Sequence, residues 1–225
     1  MLGDPRNENS LSTKMRRRRD IQLRALIDDI HSAKGSVSIL DMGGTIQYWE
    51  RVGLDYLRER KVSIVLVNRE AAELGSAGGD GDLFQTAVGD ACDLPQYGDG
   101  QFDLAHSNSV IEHVETWGNM KAFARETRRT GKAYYIQTPY FWFPVDPHYY
   151  RMPLFHWFPR PIRARMLNAL PITYVGRVQG IDMAYEVVDR ARLLDGRQFR
   201  FLFPDGEISF ERFAGLPKSM VAIRR

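Results

Sequence analysis

Four sets of polar residues in this chain each follow directly on a short apolar run. They are Asp41 with Gly43, Gly44 and Thr45; Asn68 with Glu70; Asp90; and Ser107 with Asn108. Apolar, β-branched runs of this length read as buried parallel strands. In an open parallel sheet all strand carboxyl ends lie on one edge, where ligands bind, so the four sets converge. The ligand they suit is not a dinucleotide. Gly-x-Gly-x-x-Gly brings backbone against a pyrophosphate, whereas the run here is Gly43-Gly44-Thr45-Ile46-Gln47-Tyr48, without a third glycine. No glycine-rich cradle ends in Lys-Ser/Thr either, so a ligand without phosphate fits better.

The elements that position these groups follow from hydrophobic pattern. Strands are expected over 37–41, 62–67, 84–88, 102–107 and 132–138, and helices over 18–33, 48–59 and 117–129. Ile21, Leu23, Leu26, Ile27 and Ile30 would form the apolar stripe of the first helix; Gly35 would end it, and Gly131 would cap the helix at 117–129. The glycine-rich stretch at 75–81 reads as a loop. This alternation predicts an α/β, Rossmann-like, doubly wound and mostly parallel sheet with helices on both faces. Residues 139–180 break the rhythm with seven prolines among many aromatics, from Tyr140-Phe141-Trp142-Phe143 to Trp157-Phe158. Such an insertion after a strand's carboxyl end is either a lid or substrate wall, or an extra layer over the sheet edge. Asp195 and Gln198 have capping-box spacing for a helix over 196–202, although Phe199, Phe201 and Phe203 also fit strand alternation. Strands at 208–210 and 219–223 would close the sheet as antiparallel neighbours.

A chain of 225 residues buries roughly 70% of its unfolded surface and needs no staples. With 44% hydrophobic and 26% charged residues it has the composition of an ordinary globular protein. The single cysteine, Cys92, rules out an intrachain disulfide and a cysteine-based zinc site, and a reducing compartment is the natural reading. No apolar stretch reaches a membrane span of roughly 20 residues, and the N-terminus has no apolar core behind its charges; the expected location is cytoplasmic. The formal charge of +3 owes much to Lys14 and Arg16–Arg19. No second basic cluster with interleaved aromatics completes a nucleic-acid surface. Residues 1–17 are therefore expected to be a disordered, solvated basic arm, and 18–225 a single domain.

Several motifs carry a family resemblance. Asp41-Met42-Gly43-Gly44-Thr45, Gly89-Asp90-Ala91-Cys92-Asp93-Leu94-Pro95 and above all the run Phe102–Val114, with its Glu112-His113-Val114 pattern, resemble the class I S-adenosylmethionine-dependent methyltransferases in their small single-domain, type 11-like form. The likeness covers about 36–138 and reappears at 195–225. It implies a seven-stranded sheet with an antiparallel C-terminal strand and S-adenosyl-L-methionine as cofactor. It further implies that Gly43, Gly44 and Thr45 let backbone approach the methionine moiety, with Asp41 near its ammonium. Asp90 would accept the adenine amino group while the backbone of Ala91 and Cys92 meets the ring. Ser107 and Asn108 would face the amino-acid end, and Asn68, where the family usually has an acid, would hydrogen-bond a ribose hydroxyl. A sulfonium is cationic, which suits acidic and neutral-oxygen lining.

Methyl transfer is an in-line displacement for which the protein mainly aligns reactants; an oxygen acceptor also calls for a base. Asp146, His148 and His156 are candidates on the insertion, with His148 expected as base or acceptor ligand. No metal cluster stands out, although Asp103 and Glu112 are available. The expected activity is O- or N-methylation of a small molecule or glycan precursor. The alternatives are a nucleic-acid methyltransferase, supported by Arg16–Arg19, and a catalytically silent methyltransferase-like binding protein; a nicotinamide-linked oxidoreductase is weakest. The aromatic insertion with Arg160, Arg163 and Arg165 could also touch a membrane or a lipid-linked acceptor.

Overall fold

A computed structural model describes residues 11–70, 81–149, 151–172 and 176–225. The elements in chain order are α1 (Leu11–Lys34), β1 (Val37–Met42), α2 (Ile46–Val52), α3 (Leu54–Glu59), β2 (Val62–Asn68), β3 (Phe84–Val88), β4 (Phe102–Asn108), α4 (Trp117–Thr130), β5 (Gly131–Pro139), α5 (Arg160–Ala169), α6 (Ile181–Asp189), α7 (Gly196–Leu202), β6 (Glu207–Phe213) and β7 (Leu216–Arg224). The strands form one seven-stranded sheet in the order β3-β2-β1-β4-β5-β7-β6. β1 runs parallel to β2 and β4, and β2 to β3, while the C-terminal strands are antiparallel. This is the expected doubly wound fold. Strand order reverses between β1 and β4, and that reversal opens a ligand crevice at their carboxyl ends. Among the described residues no helix is long and apolar enough to cross a membrane.

By packing, the chain divides into two compact units. One holds residues 1–108, 125–136 and 223–225; the other holds 109–124 and 137–222.

In the first unit, β1, β2 and β4 are apolar because they are interior strands: Ile39, Leu40, Leu66, Leu104 and Ala105 are all fully buried. α1 covers them with Leu23, Leu26 and Ile27, whereas Ile21 is exposed and is not part of the stripe. α1 also begins at Leu11, so residues 11–17 of the expected disordered arm are helical; Lys, Met and Arg are strong helix formers. Residues 1–10 and the expected loop up to residue 80 lie outside the described residues. Gly35, at φ +81°, ends α1 as expected. The single helix expected over 48–59 is two, because Gly53 at φ +111° breaks it.

Gly131 does not act as a helix cap in the left-handed region. It is the first residue of β5, and a Cβ there would lie 2.5 Å from the Ala133 carbonyl and 2.7 Å from both the Cβ and the N of Ala105. It is a glycine for want of room.

Asp103, only 4% exposed, anchors three elements by accepting from Lys34 Nζ (2.6 Å), Ser38 N (3.0 Å), Ser38 Oγ (2.8 Å) and Lys132 Nζ (3.2 Å). Burial alone would raise its pKa, but Lys34, Ser38 and Lys132 outweigh burial and hold it down to about 2. A depressed carboxylate contributes stability that is present above the unfolded pKa, near 4, and is lost as pH falls through about 2. Asp103→Asn is therefore expected to cost about 2 kcal/mol in urea unfolding at pH 7 and to differ little from the parent at pH 2. An equal loss at both pH values would contradict this.

The second unit carries the insertion, which has a core of its own. Tyr149, Phe155, Leu167, Ile172, Val178 and Val188 are buried together, with Ala164 of α5 and Ala184 of α6. Neither α5 nor α6 was expected. The prolines hide α5, yet Pro161 sits in its first turn, where a missing N–H costs nothing. The insertion runs on past 180 and ends where it began: Tyr140 bridges Leu194 in parallel, and Phe141 N donates to Leu194 O at 2.9 Å. Asp195 Oδ1 then accepts from Arg197 N and Gln198 N while Gln198 Oε1 accepts from Asp195 N, so the capping box sets α7 as a helix.

Candidate functional site

The first unit brings the ends of β1, β2, β3 and β4 together around the turn after β1. Gly43 takes φ +78°, a conformation glycine adopts without strain, and its N–H donates to Val67 O at 2.7 Å. Ser107 Oγ donates to Met42 O at 2.7 Å, and Asn68 Nδ2 donates to Gly44 O at 2.8 Å. Ser107 and Asn68 thus hold the turn from neighbouring strands. Asn68 spends one of its two amide N–H groups on the turn, and its oxygen can accept from a ligand hydroxyl. Thr45 is the extended N-cap residue of α2 and makes no side-chain cap bond. Asn108 ends β4.

Asp41 faces inward. It is fully buried, its Oδ2 accepts from Trp49 Nε1 at 2.7 Å, and its Oδ1 pairs with His106 Nδ1 at 2.7 Å. His106 Nε2 lies 3.2 Å from the Tyr48 hydroxyl, and its ring stacks on Tyr135 at 5.8 Å. The carboxylate therefore fixes α2 to β1 and β4. Its oxygens keep further acceptor capacity, but the carboxylate is fully buried beneath the turn rather than open to a ligand ammonium. Sequence reasoning missed Tyr48, Trp49 and His106; the available signal was a histidine directly after the apolar Leu104-Ala105 of β4.

After β3, Ala91 and Cys92 form the turn between the bridged residues Asp90 and Asp93. Asp90 Oδ1 accepts from Cys92 N at 2.9 Å, and Oδ2 pairs with Arg69 at 3.0 Å. Burial pushes Asp90 up, but the Cys92 N–H and the Arg69 guanidinium hold it below the ordinary carboxylate value. A ligand amino group would share this carboxylate with Arg69, which sequence reasoning also missed.

The second unit holds a separate cluster. Asp146 is buried, and its Oδ1 accepts from both the N–H (2.8 Å) and Nδ1 (2.7 Å) of His148. His148 Nε2 faces His113 Nε2 at 3.2 Å. Burial alone would lower His148, but Asp146 and then Glu112 reverse this and hold it above its ordinary value; burial lowers His113. Glu112 is fully buried, and desolvation lifts it to about 7. The third candidate base, His156, donates Nε2–H to Phe141 O at 2.8 Å, and its buried Nδ1 has no hydrogen-bond partner among the described residues.

The model of a family described as "Methyltransferase domain" matches residues 42–134. No curated protein matches the sequence. Among solved structures, the chain is similar to a geranyl diphosphate methyltransferase in complex with SAM (13% identity, 100% of this chain and 93% of that one, TM-score 0.55). It is also similar to a protein from Pyrococcus horikoshii (14%, 96% and 92%, TM-score 0.55) and to the N-methyltransferase NodS from Bradyrhizobium japonicum (11%, 96% and 97%, TM-score 0.52). At these identities the likeness is one of fold.

The turn after β1 fits a cofactor that lies against backbone. Gly43 needs its positive φ, and a Cβ on Gly44 would stand 1.6 Å from Asp41 Oδ2. Residues 42–134 match the family model of a methyltransferase domain, and the sheet around them has the Rossmann-like fold of S-adenosylmethionine-dependent methyltransferases.

Proposed function

We propose that this chain transfers a methyl group from S-adenosylmethionine to an oxygen or nitrogen of a small molecule or glycan precursor. The observation that carries the reading is the turn Asp41–Thr45, held by Ser107 and Asn68 at the switch point of the sheet. The bound cofactor supplies a methyl carbon already activated by its sulfonium. With it bound, the chain's own residues would have to align the acceptor with that carbon and take up the acceptor's proton. In this reading Gly43, Gly44 and Thr45 seat the methionine end, Asn68 meets the ribose, and Asp90, Ala91 and Cys92 meet the adenine. Asp41, Ser107 and Asn108 define the amino-acid end. His148 receives the acceptor or its proton, with Asp146 fixing its ring so that Nδ1 carries the hydrogen and Nε2 presents the lone pair.

Two measurements test this. Calorimetry with S-adenosylhomocysteine should show one site per chain; absence of binding would favour a silent methyltransferase-like protein. Label transfer from methyl-labelled cofactor should reach sugar hydroxyls or small amines. Transfer to RNA or DNA with steep salt dependence would favour the nucleic-acid reading instead. His148→Ala should lower kcat by about 10²–10⁴-fold, the usual worth of a general base, with S-adenosylhomocysteine affinity unchanged. Full turnover in that variant would remove His148 from the reaction.

A further inference from the structure

Three polar side chains of the second unit lie close to one another. The nitrogen fixed on each imidazole decides what the other can do. His113 Nδ1 lies 2.8 Å from the carbonyl of Arg190, which can only accept, so Nδ1 carries hydrogen. His148 Nδ1 lies 2.7 Å from the Asp146 carboxylate and carries hydrogen for the same reason. Both neutral rings therefore turn a lone pair outward on Nε2, and these two nitrogens face each other at 3.2 Å. At that distance the two nitrogens share either one proton, which the raised proton affinity of His148 favours, or a metal cation. Beside them, Glu112 is fully buried with Oε2 bonded to Thr138 Oγ1 at 2.9 Å, while its Oε1 is buried without a hydrogen-bond partner among the described residues. One ligand atom from each of Glu112, His113 and His148 lies within 4.8 Å of the others.

We propose that Glu112, His113 and His148 form a binding site for a divalent first-row transition ion of the Zn2+ class. The nitrogen spacing fits: two ligands at about 2.05 Å in a tetrahedron stand about 3.3 Å apart. The donor set fits as well, since two imidazoles and one carboxylate favour Zn2+, Co2+ or Fe2+ over the all-oxygen cations. Each imidazole already donates its far N–H to a carbonyl or carboxylate, the outer arrangement that orients histidine ligands. Ligation requires Glu112 to turn its unpartnered oxygen toward the two nitrogens. The protein then supplies three ligands and leaves a position for water or an acceptor oxygen. A cation on His148 Nε2 takes the lone pair that direct proton abstraction needs, so ion binding also separates two roles for His148. The site does not depend on the acceptor proposed above.

The test uses the full chain without an affinity tag, stripped with a chelator and titrated with Co2+. One ion per chain should bind, with visible d–d absorption of a four- or five-coordinate nitrogen–oxygen site, and Zn2+ should displace it. His113→Ala should weaken Zn2+ binding at least 100-fold in calorimetry. His113 is exposed, so its loss leaves no buried group stranded and the variant should melt like the parent. Asp146→Asn, which touches no ion, should cost 10–100-fold through the orientation of His148, and His31→Ala should cost nothing. Absence of Co2+ binding at millimolar free ion would overturn the proposal. So would a folded His113→Ala variant that holds Zn2+ as tightly as the parent.

Discussion

Gly44→Ala is expected to weaken S-adenosylhomocysteine binding at least 100-fold, which is about 2.7 kcal/mol. The new Cβ would lie 1.6 Å from Asp41 Oδ2 and 2.0 Å from Asp41 Cγ. A carboxylate at the end of a loose side chain could step aside. Asp41 cannot, because Trp49 Nε1 holds one oxygen and His106 Nδ1 the other. The strain therefore passes to the turn, whose Gly44 carbonyl is held by Asn68. Calorimetry measures the loss, and a double-mutant cycle assigns it. In an Asp41→Ala background the extra methyl meets empty space, so Gly44→Ala should cost much less there. Equal costs in both backgrounds, or a Gly44→Ala variant that binds like the parent, would show that the turn is not built around this clash.

Gly131→Ala should produce the largest loss of stability, about 3 kcal/mol or more. Overpacking a core commonly costs about 1–3 kcal/mol when side chains can adjust. At Gly131 two of the three nearest atoms are backbone, the Ala133 carbonyl oxygen and the Ala105 nitrogen, and the third is a Cβ that moves only with its backbone. Relief would have to come from parting β4 and β5. Urea unfolding of the soluble fraction reads the change directly. A variant within about 1 kcal/mol of the parent would mean that the two strands can separate at low cost.

The strands were legible because interior parallel strands leave an unbroken apolar signature, and four polar strand ends in order marked one edge of the sheet. The contents of that edge were less legible. The link between Asp41 and His106 depends on β1 and β4 lying in register, with Asp41 opposite His106, which hydrophobic pattern alone does not encode. Glu112 and His113 were visible as neighbours, but His148 reaches them only through the fold of a proline-rich segment. α5 and α6 escaped notice because prolines and aromatics obscured their periodicity. Gly131 looked like a helix terminator because local rules assign glycine to turns, whereas its reason is a neighbouring strand.

The bridge between Tyr140 and Leu194 has a wider consequence. The excursion between these residues begins and ends at one bridged pair, so its two ends are fixed close together. Closing a segment between fixed ends costs entropy that rises only slowly with its length. Lengthening, shortening or exchanging everything between the two anchor residues is thus mechanically cheap for the framework. Residues 141–193 can therefore change in length and sequence while Tyr140 and Leu194 stay paired.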